Sequence, residues 1–182
     1  MVCLAYSAAL VIKKLSIAVI AVVVLGALVA AALPREWKVS RSIVIAAPAA
    51  KIHPLIVDLK RWQDWSPWTR SLDPQLRNIY EGPADGVGAK WAWLGPKMGR
   101  GTITIVAEDA ATGIALEERI ESDDVNAHAR IAYAAEGDGT RVTWTDEGTL
   151  PPMSGLFRSS VETELGAHFD AGLAKLKQLA EQ

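Results

Sequence analysis

The chain has 182 residues, 19 basic and 21 acidic side chains and a formal net charge of −2, enough for one domain and a short appendage. Its charges are well mixed, with no basic stripe or arginine-rich run, so no nucleic-acid partner is expected. Cys3 is the only cysteine, which excludes an internal disulfide and a cysteine-ligated metal site and leaves the compartment open.

Residues 1–14 form an N-terminal tail that is apolar up to Lys13 and Lys14. Leu15–Leu33 then runs for 19 residues without a charge. At about 1.5 Å per residue this is long enough to cross a hydrocarbon core of about 30 Å. A retained single-pass anchor is the expectation, because the run exceeds the usual apolar core of a signal peptide. Cleavage near Ala30-Ala31-Ala32 is the rival, and a start of translation near Val11 or Ile12 would explain the apolar residues before the lysines. Basic residues flank both ends, Lys13 and Lys14 before and Arg35, Lys38 and Arg41 after. They nearly cancel as an orientation signal; an extracytoplasmic domain is expected. Residues 34–36 are a junction, and the domain is expected over 37–182.

From Trp37 to Ile45 the apolar Val39, Ile43 and Ile45 share one face, the period of a half-buried strand. Trp37 suits either that strand or a membrane interface. Pro48 is placed to open a helix as its first residue, with Ile52, Ile56 and Leu59 on one face and Pro54 as a kink or restart. Trp62, Trp65 and Trp68 follow at spacing three, along one side of a turn. Strands are expected at Leu76–Glu81, Lys90–Leu94, Thr102–Val106, Ile114–Ile120, Ala127–Ala135 and Arg141–Thr145. Gly137-Asp138-Gly139 joins the last two as a hairpin. A stripe of Leu165, Phe169, Leu173 and Leu176 then predicts a helix from about Ser159 to Ala180. A run of strands followed by one long helix is an α+β pattern, a meander with the helix laid against it.

Glu118 shares a strand face with Ile114, Leu116 and Ile120, and Asp146 shares one with Val142 and Trp144. An inward carboxyl must pair, meet water or hold its proton, and two such groups are candidates for general acid and base. The plainer account places both near strand ends, solvated or paired with Arg130 or Arg41. The three histidines, His53, His128 and His168, have no metal-ligand spacing, so no metal is expected. There is no nucleophile elbow and no dinucleotide fingerprint, and no cofactor is expected. Trp62, Trp65 and Trp68 either close one end of the core or form an amphipathic mouth for an apolar ligand; Trp91 and Trp93 face the same space from the sheet.

The strand, tight junction, helix and tryptophan cluster of residues 41–68 resemble the opening of the START-like (SRPBCC) superfamily, in its polyketide cyclase/dehydrase branch. Gly86-Val87-Gly88 before Trp91, the run Gly139–Trp144 and the terminal helix extend the resemblance over most of 37–182, and Pro34–Trp37 is similar to the junction of anchored members. The resemblance implies a helix-grip (START/Bet v 1-like) fold, a curved antiparallel sheet wrapped around the C-terminal helix with an apolar ligand between them. His53-Pro54 departs from the family pattern, and His53 then becomes a candidate to face the ligand. Trp144 on the sheet and Leu165, Phe169 and Leu173 on the helix are the further candidates to line the cavity. The implied function is a membrane-anchored binder of a hydrophobic small molecule or lipid. The alternatives are a cyclase or dehydratase using Glu118 and Asp146, or a ligand-free interaction module whose protein partner the sequence does not name.

Overall fold

The computed structural model describes residues 2–182, with side chains from Lys13 onward. Cys3 and the proposed start near Val11 or Ile12 lie outside the described side chains. Helix α1 (Val2–Ala32) leads into strand β1 (Glu36–Ile45). Two short helices follow, α2 (Ala49–Val57) and α3 (Trp62–Trp65). Six strands then run in succession: β2 (Arg77–Glu81), β3 (Lys90–Gly95), β4 (Gly99–Asp109), β5 (Gly113–Ile120), β6 (Val125–Glu136) and β7 (Gly139–Thr149). A 3₁₀ turn, Ser154–Phe157, enters the last helix, α4 (Arg158–Ala180).

The seven strands form one sheet in the order β1-β7-β6-β5-β4-β3-β2, and each neighbouring pair is antiparallel. From β2 to β7 this is a meander; only β1 crosses over, to pair with the last strand. The turn Gly137-Asp138 closes β6 onto β7, with Glu136 opposite Gly139. Gly137 takes φ +57° there, a value that a Cβ would strain and that the tight hairpin requires. A register shift in β4 between Ile105 and Ala107 bends the sheet, as a bulge does. The concave face receives α4 through the buried Phe169, Leu173 and Leu176. The result is the α+β helix-grip domain, with one apolar helix before it.

Local chemistry explains where the elements start and stop. Pro48 is the cap residue before α2, in extended conformation at ψ 152°, rather than its first helical residue. A proline fixes φ but leaves ψ free, so it serves as the corner between strand and helix. Pro54 lies inside α2 without ending it. Because α2 is only nine residues long, the missing N–H removes one hydrogen bond near its N-terminal turn, and buried Ile52, Ile56 and Leu59 hold the helix against the core.

Register also sorts the two ends of the domain. Turns 110–112 and 137–138 and the β1–α2 corner share one end with the C-terminus of α4, where the Glu181 carboxylate accepts from the Ala46 N–H at 2.7 Å. Turns 96–98 and 121–124, the start of β1 and the 3₁₀ turn share the other.

Candidate functional site

A cavity of about 580 Å³ opens at the second end, between the concave sheet face, the loops and the N-terminal half of α4. Its volume lies within the ordinary range for small-molecule sites. The sequence of β6 explains why the space is there. Its inward residues are Val125, Ala127, Ala129, Ile131 and Tyr133, so small side chains face one end and large ones fill the other. Trp91, Trp93 and Ile103 wall the cavity from β3 and β4, and Val161 and Leu165 from α4.

Glu118, Asp123, Asp146 and Lys97 interrupt this apolar lining, and two of the carboxyls come from the sheet itself. Glu118 on β5 stands opposite Ala127 on β6, and Asp146 on β7 stands opposite Ala129. They therefore flank the alanine floor from either side of one strand, and both line the cavity. Asp146 is 4% exposed, and its Oδ1 has no hydrogen-bond partner. Neither acid takes the basic partners open to it in sequence: the Arg41 guanidinium donates to Asp170 at 3.1 Å instead. Nor is Asp146 at a strand end, because β7 continues to Thr149. Burial pushes both carboxyls above the ordinary carboxylate range, and the negative charge of Glu118 raises Asp146 further. At neutral pH the pair retains a proton, since two unscreened like charges in an apolar wall repel one another.

The aromatic candidates divide. Trp68, Trp91 and Trp93 line the cavity, as does Leu165. Trp62, Trp65, Trp144, Phe169 and Leu173 lie outside its wall, in the buried core. Trp62 and Trp65 donate their indole N–H groups to the Ile56 and Leu55 carbonyls at 2.8 and 2.9 Å, which pins α3 onto α2. Trp144 stacks on Phe169 with ring centroids 4.1 Å apart and planes 6° off parallel. This pair lies in the core behind Trp68, which separates it from the cavity. Trp68 leans on it edge-on, 5.6 Å from Trp144.

His53 lies away from the cavity, at the opposite end. Its Nε2 is 2.9 Å from Glu108 Oε1 and its Nδ1 3.4 Å from the Tyr133 hydroxyl. Burial and the charge of Glu108 push the Tyr133 hydroxyl up. His53 thus occupies a position where an apolar residue was expected because it has two polar partners there, one on β4 and one on β6. Among the described residues no three His, Cys, Asp or Glu side chains gather as metal ligands.

The sequence reading missed much of the mouth. Trp37, Leu72, Met98, Leu150 and Phe157 all line the cavity, and four of them come from turns and loops, where no periodicity marks an inward residue. Trp37 could have been found: it is in phase with Val39, Ile43 and Ile45. Its buried Nε1 has no hydrogen-bond partner among the described residues.

Solved structures share the fold. A protein from Chromobacterium violaceum is 15% identical, with TM-score 0.58 over 80% of this chain and 97% of its own. A Thermobifida fusca protein is 20% identical, with TM-score 0.62 over 79% and 92%. The di-domain ARO/CYC StfQ from the steffimycin biosynthetic pathway is 12% identical with TM-score 0.65, and the match spans 81% of this chain and 51% of StfQ. No curated protein matches the chain. The sequence itself matches the family described as "Polyketide cyclase / dehydrase and lipid transport" over residues 36–181, and with that match covering the whole sheet and the helix it grips, the chain belongs to this family.

Proposed function

We propose that the protein is a membrane-tethered carrier that holds a hydrophobic small molecule or lipid in the cavity above Ala127. The observation that carries this reading is the cavity itself: about 580 Å³ of largely apolar space, closed at the bottom by a carboxyl pair that the protein leaves uncompensated. Pockets of this composition hold an apolar body and orient it through a few polar groups. The polar end of the ligand is expected at Glu118 and Asp146, where it meets at least one acidic proton and several acceptor oxygens.

The tether in this reading is α1, whose segment Lys13–Ala32 is long and apolar enough to cross a membrane. Apart from Ala30, its described side chains are not buried, which suits a helix solvated by lipid. A carbonate wash of native membranes tests the tether: a cleaved, released domain would appear in the supernatant.

The carboxyl pair also favours a second reading, a cyclase or dehydratase. One acid of the pair is protonated and the other is a base, so the base can take the proton α to a ligand carbonyl while its partner delivers a proton to the oxygen. Native mass spectrometry of the detergent-solubilised chain, with extraction of anything bound, tests the carrier reading. A co-purifying apolar compound is the expected result; a clean mass with no uptake from lipid extracts would overturn it. A bound compound returned chemically changed by the wild type but unchanged by Glu118→Gln and Asp146→Asn would select the enzyme.

A further inference from the structure

The anchor helix ends on the rim of the cavity. The Arg35 N–H group at Nη1 donates to the Leu150 carbonyl at 3.0 Å, and the Leu150 N–H donates to the Arg35 carbonyl at 3.0 Å. This double link joins the junction after α1 to Leu150, which lines the cavity. Gly155 in the 3₁₀ turn closes the approach. A Cβ there would lie 2.8 Å from the Pro34 carbonyl oxygen, closer than real Cβ contacts come, and 3.0 Å from Leu33 Cβ, so glycine lets the turn touch the helix end. Ala30, 6% exposed, is the one buried side chain among those described in α1.

Beside this contact the surface is apolar. Met153, Leu156 and Phe157 are 50, 62 and 63% exposed, and Phe157 also lines the cavity. Single exposed apolar residues are ordinary, but a contiguous group at a mouth is not. Charges of both signs share the rim: Arg100 lies 3.8 Å from Glu121 and Arg158 3.0 Å from Glu162, and Lys97 and Asp123, which line the cavity, add one of each sign. The rim therefore offers no net charge to an anionic headgroup, and its attraction is that of apolar insertion.

We infer that Met153, Leu156 and Phe157 insert into the bilayer that α1 crosses, so that the cavity opens directly into lipid and exchanges its ligand without passing through water. The occupant is a lipid surface because the only long apolar helix among the described residues ends within contact distance of the patch. The inference rests on the tethered reading of α1.

The test uses the full chain in phosphatidylcholine vesicles, with Cys3→Ser and an environment-sensitive probe on Leu156→Cys, compared with the same probe on Asp138→Cys at the far end. The expected result is a blue-shifted emission at position 156 that brominated lipid quenches and high salt leaves unchanged, with an aqueous, unquenched probe at 138. A chain that resists carbonate washing but keeps an aqueous probe at 156 overturns the docking and leaves the tether. A chain that washes off overturns both. An emission shift that follows protein density instead of lipid marks a second copy on the patch and overturns the lipid surface. Met153→Glu with Leu156→Glu is the second variant: both side chains are exposed and neither lines the cavity, and ligand uptake from vesicles is expected to slow while the vesicle-bound fraction stays the same.

Discussion

The two ends of the domain bury polar groups on opposite terms. At one end His53 lies 2.9 Å from Glu108 and 3.4 Å from Tyr133. At the other, Asp146 and Glu118 sit above small alanines and face an open cavity, with Asp146 Oδ1 unpartnered. His53 comes from α2, whereas Glu108, Tyr133, Glu118 and Asp146 all come from strands of the one sheet. A buried polar group that has found its partner contributes to the fold, whereas one without a partner costs free energy until a ligand supplies it. The first set therefore reads as structure and the second as a site.

The aromatic core between the two ends is the place to break this comparison most severely. Trp144 is 1% exposed and stacked on Phe169. Trp144→Ala is expected to cost about 3–5 kcal/mol, the usual loss for truncating a buried aromatic. Chemical denaturation of the detergent-solubilised chain measures it. A loss as small as that of a surface substitution would mean that the stacked pair is not part of a packed core.

A smaller effect is expected at the satisfied end. His53→Ala strips a partner from Glu108 and Tyr133 together, and should lower stability by about 1–3 kcal/mol, the cost of leaving a buried polar group unpaired. The same denaturation series reads it. An unchanged midpoint would show that the two partners are hydrated in its place, and the contrast with the cavity acids would weaken.

The smallest change is expected at the site. Asp146→Asn keeps the shape and removes a buried carboxyl that folding holds protonated, so stability at neutral pH should stay level or rise. The pH profile sharpens the point. Both carboxyls are raised on folding, from unfolded values of about 4. The folded state thus binds more protons than the unfolded one, and stability falls as pH rises from about 4 through the raised folded values. Asp146→Asn should flatten that fall. An equal slope in both proteins would place the protons elsewhere and remove the acid pair from the mechanism.

Much of the fold was legible in the chain. Each expected strand has a counterpart within a few residues, because period-2 alternation survives wherever one face is buried and the other is wet. The strands run longer than the alternation marked, β7 to Thr149 beyond the expected Thr145, since ladder hydrogen bonds continue past the last apolar residue. That extension is what places Asp146 inside the sheet instead of at its end. The inward phase of Glu118 and Asp146 was also readable, from their register with Leu116 and Trp144.

The division of the tryptophans was not readable. Spacing three places Trp62, Trp65 and Trp68 alike, yet α3 ends at Trp65 and Pro67 follows, so the chain turns and Trp68 departs towards the cavity. His53 gave no sign of its partners either, because Glu108 is 55 residues away.

The sequence by itself determined the order of elements, the faces they bury, the apolar helix before the domain and the inward phase of two acids, because each depends on a local period or on length. The tertiary structure alone decided which aromatic fills the core and which borders empty space, which buried polar group finds a partner, and that the N-terminal apolar helix ends on the mouth of the cavity. Those outcomes depend on sheet curvature and on contacts between residues far apart in the chain, such as Arg35 with Leu150, and no local pattern carries them.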